Sequence, residues 1–269
     1  MDRDTTLARY DRQLRRDARP DGPGVRVEHT GPVVRQTGPA HAWNGVLWSG
    51  LDGLDAAAVD AVVTDQIHHY TQHDLPFEWK AYGHDAPADL PQRLLAAGFA
   101  PDGEETLMAA ETGRLDLDVV LPDGVELLPV TDEAGVRMVV EVHDRAFGGD
   151  SSRMGRHLLD RLAADPDTVA AVVALADGEP VSAARLDLVP GTDFAGLYGG
   201  GTVEGWRGRG LYRALVAHRT RLAAAHGHRY VHVDAAPTSR PILHRLGFTT
   251  LTTTTPYVYT PAGDVRSVS

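Results

Sequence analysis

Residues 199–216 read GGGTVEGWRGRGLYRALV: three consecutive glycines, two arginines alternating with two more glycines, and the start of a helical pattern. The chemistry this junction can do is anion binding. Backbone N–H groups in the first turn of a helix have no intrahelical partner and lie at the positive end of the macrodipole. Glycine lets backbone approach a phosphate and adopt positive φ, and arginine adds charge-assisted, bidentate contacts. No Ser, Thr, Asp or Asn stands immediately before the helix, which leaves capping to a ligand. Between Glu204 and Asp234 there is no acidic residue, whereas Arg207, Arg209, Arg213, Arg219, Arg221 and Arg229 all fall there. In a chain of net charge −11 this is a local reversal of sign. The plainer alternative is a solvated basic helix face beside a tight turn.

Two phosphate-binding signatures fail on the residues. A P-loop needs GxxxxGK[ST], and Lys80 is the only lysine. A dinucleotide fingerprint needs a third glycine where Arg213 stands. Elsewhere, His232 and Asp234 are two apart in a strand pattern, so their side chains share a face and could act together on a proton. Hydrogen bonding into an adjoining helix is the competing role. Asp193 and Glu204 are further acidic candidates, Glu204 reading as a solvated acid of the loop. His69 and His73 have the i, i+4 spacing of a metal pair and His68 adjoins them, but the Glu of HExxH is missing, so a surface cluster is expected. Ser49 in LWSGL lacks the first glycine of a nucleophile elbow.

The elements that must position these residues follow from periodicity. A helical opening carrying Leu7, Tyr10 and Leu14 precedes two short strands, then strand 43–49, helix 54–73, strand 76–82, helix 88–97 and strand 105–110. Ala58, Val62, Ile67 and Tyr70 mark one face of the long helix. After a polar stretch closed by Pro-Asp-Gly, the pattern restarts: strand 125–130, helices 132–146 and 151–163, strands 168–176, 180–188 and 194–203. Helix 209–226, strand 229–235, helix 239–246 and a β-rich end complete it. The halves repeat one order, since both DLPQRLLAAGFAPDGEETLMAAE and SRPILHRLGFTTLTTTTPYVYT run from a short helix through Gly-Phe into a strand. An internal duplication explains this better than two coincidental C-caps.

Composition excludes whole classes. At 269 residues and 42% hydrophobic the chain can bury one large core or two small ones. Its acidic balance argues against nucleic-acid binding, and no apolar run is long enough to span a membrane. With no cysteine there is no disulfide, thiolate metal site or thiol nucleophile. The charged start lacks the apolar centre of a secretory signal, so a cytoplasmic location is expected.

In order, Arg207, Gly208, Arg209, Gly210 and Leu211 resemble the pyrophosphate loop of the GCN5-related N-acetyltransferases, Arg/Gln-x-x-Gly-x-Gly/Ala between a central strand and a long helix. Tyr212 departs from it, standing where Gly or Ala is usual. The strand RYVHVDAAP, the helix SRPILHRLGF and the closing strands resemble the later half of that fold, and the likeness covers roughly 123–260.

The resemblance implies an α/β (α+β) acyl-CoA N-acyltransferase fold, a mixed central sheet with its fourth and fifth strands splayed, duplicated in tandem. A degenerate N-terminal copy would occupy 1–115, with acids at WSGLDGLDAAAVD where a phosphate would sit and hence no acyl-CoA, and a catalytic domain 123–269. It further implies transfer of an acetyl group from acetyl-CoA to a primary amine of a small molecule or peptide. Pantetheine would lie along Gly201, Thr202 and Val203, pyrophosphate on Arg207, Gly208, Arg209, Gly210, Leu211, Tyr212 and Arg213, with Ser239 as a further contact. The tyrosine that donates a proton in many relatives falls at Leu243, beside His244, so Ser239 or solvent would serve instead. Asp234 is taken as the base, with His232 beside it. The rival from another class is a non-catalytic acyl-CoA-binding or scaffold protein that kept the loop and lost the acid. An amine is the expected partner, nucleic acid and membrane are not, and homodimerisation stays open.

Overall fold

The computed structural model describes residues 1–261. Helix α1 (Arg3–Tyr10) runs into a wider π-type turn at Asp11–Arg16. There follow β1 (Arg26–Thr30), β2 (Val33–Thr37), β3 (Gly45–Ser49), α2 (Ala56–Gln72), β4 (Phe77–Tyr82), α3 (Leu90–Ala96), β5 (Ala100–Pro101) and β6 (Glu105–Glu111). The second half comprises β7 (Val125–Val130), α4 (Glu133–Phe147), α5 (Ser152–Ala164), β8 (Val169–Ala176), β9 (Glu179–Leu188) and β10 (Phe194–Thr202). It ends with α6 (Leu211–Ala225), β11 (Tyr230–Ala235), α7 (Arg240–Leu246) and β12 (Thr249–Tyr259).

Two compact units are discontinuous in sequence. One contains 1–6, 21–23 and 106–251, the other 7–20, 24–105 and 252 onward. Strand β6, which follows α3, therefore belongs with the C-terminal elements, where it pairs antiparallel with β11. Strand β12, which follows α7, pairs antiparallel with β4 of the N-terminal elements. Each unit takes as the neighbour of its parallel strand pair the strand that follows the other unit's short helix. Residues 262–269, part of the second domain expected from sequence, lie outside the described residues.

In the N-terminal unit β1, β2 and β3 pair antiparallel in order, and β3 runs parallel to β4 over two registers, Gly45–Glu78 and Val46–Trp79. Helix α2 buries Val59, Val63, Gln66 and Tyr70. The face is thus rotated from the one marked by Ala58, Val62 and Ile67, because Gln66 turns inward to accept a hydrogen bond from Arg35. The core gathers Trp79, Tyr70, Phe77, Leu90 and Leu94. Arg15 is buried on the π-type turn and fully paired: two bonds to Asp85, one to Asp11 and one to the Leu47 carbonyl, with its guanidinium 3.7 Å from the Tyr82 ring centroid. Pairing of this completeness is what permits burial of a charge.

The C-terminal unit orders its strands β7, β8, β9, β10, β11, β6, all antiparallel except β10 with β11. Period-2 alternation assigns two faces. On β8, Val169, Ala171, Val173 and Leu175 pack with Val136, Val139, Val142 and Leu158 of α4 and α5. Alternate residues Val172, Ala174 and Ala176 pack with Leu211 and Leu215 of α6. On the α6 side of β10 and β11 lie Ala195, Leu197, Val231 and Val233, together with Leu243 and Leu246 of α7. Beneath α5, Asp187 is bridged to Arg161 (2.9 Å) and Arg185 (2.8 Å). Burial opposes its charge, but the two guanidiniums hold its carboxyl below the usual range.

Candidate functional site

Strand β10 carries an irregularity that organises the site. Before it, odd residues Ala195 and Leu197 face α6. After it the parity is reversed: the Cβ directions of Gly199 and Gly201 point at His143 and Phe147 of α4, and that of Gly200 at Tyr212 of α6. The register with β9 shifts between Tyr198 and Gly201, so one extra residue is inserted, and Gly199 takes φ +57°. A β-bulge of this kind re-aims side chains and frees backbone groups from the ladder.

Side chains bind the carbonyls of Tyr198, Gly199 and Gly201 around the bulge. Gly199 O accepts from His143 Nε2 at 2.9 Å, and Gly201 O from Ser182 Oγ at 2.6 Å. Arg219, buried on α6, donates to the carbonyls of Arg185 (2.8 Å) and Tyr198 (3.1 Å). Burial pulls its pKa down to about 10, with Tyr212 and Asp187 opposing. The parallel pairing of β10 with β11 lasts only from Phe194–Tyr230 to Gly196–His232, and beyond it the two strands part. Gly196 is required there, since a Cβ would lie 2.3 Å from the Tyr198 ring.

At the strand end Val203 has its backbone committed, its N–H to Val181 O and its carbonyl to Trp206 N–H. Arg207, expected on pyrophosphate, donates from Nε to Thr202 O (3.1 Å) and from Nη2 to Ala146 O (2.7 Å), tying strand, loop and α4 together. Arg209 lies over the Trp206 ring at 4.5 Å from its centroid, and Arg213 is exposed. Gly208 (φ +76°) and Gly210 (φ +88°) have open space where a Cβ would stand, so they are present for conformation and not for want of room. Helix α6 begins at Gly210 with no side-chain cap. The equivalent helix of the N-terminal unit differs, because Asp55 caps α2 by accepting from Ala58 N–H at 2.8 Å.

Leu211 is buried against Val203 and Val181. Tyr212 turns its ring toward Gly200, and burial raises its phenol pKa against the opposing influence of Arg219 and the Ser239 hydroxyl. Ser239 also donates to Ala236 O at the start of α7. Leu243, where a proton donor was looked for, is sealed in the apolar core.

The other face holds the polar candidates. His232 is 1% exposed and set edge-on to Tyr198 and Phe194, and Asp234 shares its face and is half-buried. Glu204 is exposed on a 3-10 turn, and Asp193 lies before β10, its carbonyl bonded to Tyr230 N–H. Sequence reasoning overlooked His143 and counted Arg219 only as one charge of the basic stretch. His143 follows Val136, Val139 and Val142 on the sheet-facing stripe of α4, a usable signal. Burial lowers its pKa, the Gly199 carbonyl opposes this, Arg185 lowers it further and Asp144 opposes. Among the described residues no cluster suits a metal. His69 bonds Thr37, and His73 Nδ1 bonds the carbonyl of His69. Among the described residues no helix is long and apolar enough to cross a membrane.

Comparison with known proteins agrees with this geometry. The acetyltransferase (GNAT) family model matches residues 136–248. A GCN5-related N-acetyltransferase from Kribbella flavida is 20% identical with a TM-score of 0.68, over 98% of this chain and 97% of that one. A conserved protein of unknown function from Staphylococcus epidermidis is 17% identical with a TM-score of 0.67, over 93% of this chain and 99% of that one. A tandem GNAT protein from the clavulanic acid biosynthesis pathway is 14% identical with a TM-score of 0.60, over 90% and 85%. No curated protein matches the sequence significantly. The structural likenesses establish a shared fold, and the stretch that the acetyltransferase (GNAT) family model matches, residues 136–248, contains the bulged strand, the loop and α6.

Proposed function

We propose that the chain is an acyltransferase that moves an acetyl group from acetyl-CoA to a primary amine of a small molecule or peptide. The observation that carries it is the uncapped start of α6 at Gly210, set beside Asp55 filling the equivalent place on α2. A helix start with two positive-φ glycines, open surroundings and local positive charge suits a diphosphate. The Asp55 carboxylate both satisfies and repels there, which confines acyl-CoA to the C-terminal unit.

In this reading the backbone of Gly208, Gly210, Leu211 and Tyr212 with Arg209 and Arg213 holds the pyrophosphate. Gly201, Thr202 and Ser239 line the pantetheine, Val203 contributing its buried side chain. Arg207 holds the loop in shape. Acetyl-CoA supplies an activated thioester. Arg219 and Ser182 keep the bulge rigid, and Asp234 draws the acceptor ammonium to the β11 side. A thiol leaves readily near neutral pH, so Leu243 does not forbid turnover.

Leu243 does favour a second reading, an acyl-CoA-binding protein without turnover. Thiol release from acetyl-CoA with a panel of primary amines separates the two. Turnover supports the first, binding of CoA without turnover the second, and absence of CoA binding overturns both.

A further inference from the structure

We propose that His143 is the general base that takes the proton from the acceptor amine. This rests on the acetyl-transfer reading above.

Gly199, at φ +57°, turns its carbonyl out of the β-ladder and toward α4, where His143 Nε2 meets it at 2.9 Å. A carbonyl oxygen can only accept, so Nε2 carries the hydrogen and the tautomer is set. The lone pair is therefore on Nδ1, which has no hydrogen-bond partner among the described residues. The ring is half-buried and braced edge-on by Phe147 at 5.5 Å. His143 thus has the attributes of an oriented base: a fixed tautomer, a fixed plane and an uncommitted lone pair.

The charged groups that face it are Arg185 from β9, which disfavours the imidazolium, and Asp144 from its own helix, which favours it. Burial is the largest influence and keeps the ring neutral near pH 7. His143 approaches the end of β10 from the same face as Tyr198, His232 and Asp234, opposite Tyr212. His232 is too deeply sealed to meet an incoming amine, whereas His143 stands beside the point where β10 and β11 part.

The step balances simply. An N–H bond of the ammonium breaks, its electron pair stays on nitrogen for attack on the acyl carbon, and the proton passes to Nδ1. Sulfur leaves with the C–S bonding pair, the second N–H proton lost as the amide forms goes to the departing thiolate, and the imidazolium returns its proton to water.

The test uses the full chain, acetyl-CoA, and three amine probes: a diamine, an amino sugar and a tripeptide N-terminus. His143→Gln can still donate to Gly199 but cannot serve as the base. It should lower kcat/KM by about 100-fold while acetyl-CoA affinity by calorimetry is unchanged. The acid limb of the wild-type pH profile should vanish in this variant, and added imidazole should restore part of the activity of His143→Ala. A wild-type rate and pH profile in His143→Gln overturns the base assignment and leaves acetyl transfer standing. Loss of acetyl-CoA binding in that variant also overturns it, marking a structural role. A wild-type chain that binds no acetyl-CoA and acylates none of the probes overturns the reading beneath.

Discussion

Arg207 Nη2 donates a 2.7 Å hydrogen bond to the backbone carbonyl of Ala146, 61 residues earlier in the chain. The arginine that most resembles a phosphate ligand is therefore committed to the protein, and the loop arginines divide into one that shapes the site and two that stay available.

That division is measurable. Arg207→Ala should destabilise the fold by about 1 kcal/mol, seen as a lower Tm, because the carbonyls of Thr202 and Ala146 lose their donor. Arg209→Ala and Arg213→Ala should leave Tm within error and each weaken acetyl-CoA binding by roughly 5-fold, more at low salt than at high. Unchanged affinity in both would remove the pyrophosphate from this loop.

The two helix starts make reciprocal predictions. Asp55→Ala removes the cap of α2 and should cost about 1 kcal/mol without changing acetyl-CoA affinity. Gly210→Asp puts a carboxylate at the start of α6 and should abolish that affinity by repulsion, while circular dichroism shows the helix content retained. Retained binding in Gly210→Asp would contradict the anion site.

Stability should fall with acidity from the histidine range. Burial lowers the pKa values of His143, His218 and His228 in the folded chain. Below their ordinary value of about 6.5 the unfolded chain binds these protons first, so unfolding free energy decreases as pH falls. The loss saturates once pH is below the folded values. Urea titrations at pH 7.5, 6 and 5 should show the slope, and His143→Gln should flatten part of it.

Most of the element order was legible, because amphipathic helices such as α4 and alternating strands such as β8 announce their own period. The uncapped helix start was legible too: glycines, arginines and a missing cap coincide within a few residues, and Tyr212 was conspicuous as a large residue at a small-residue position. The bulge was not. Three consecutive glycines carry no alternation, so nothing local reveals that Gly199 is the inserted residue, and without it His143 has no carbonyl to meet. The hydrogen bonds of Arg207 to Thr202 and Ala146 were hidden for a similar reason, since a tether and a ligand contact look the same in a loop. The exchange of β6 and β12 escaped because a strand's own residues do not specify which edge it will join.

That exchange sets an order of assembly on the ribosome. The N-terminal unit has most of its residues by position 105, yet the edge of β4 stays uncovered until residue 259 has been made. For more than half the time of synthesis an apolar sheet edge is open to other nascent chains, a known route to misassembly. Expression should accordingly improve when translation is slowed or chaperones are supplied, and a fragment ended near residue 115 should aggregate.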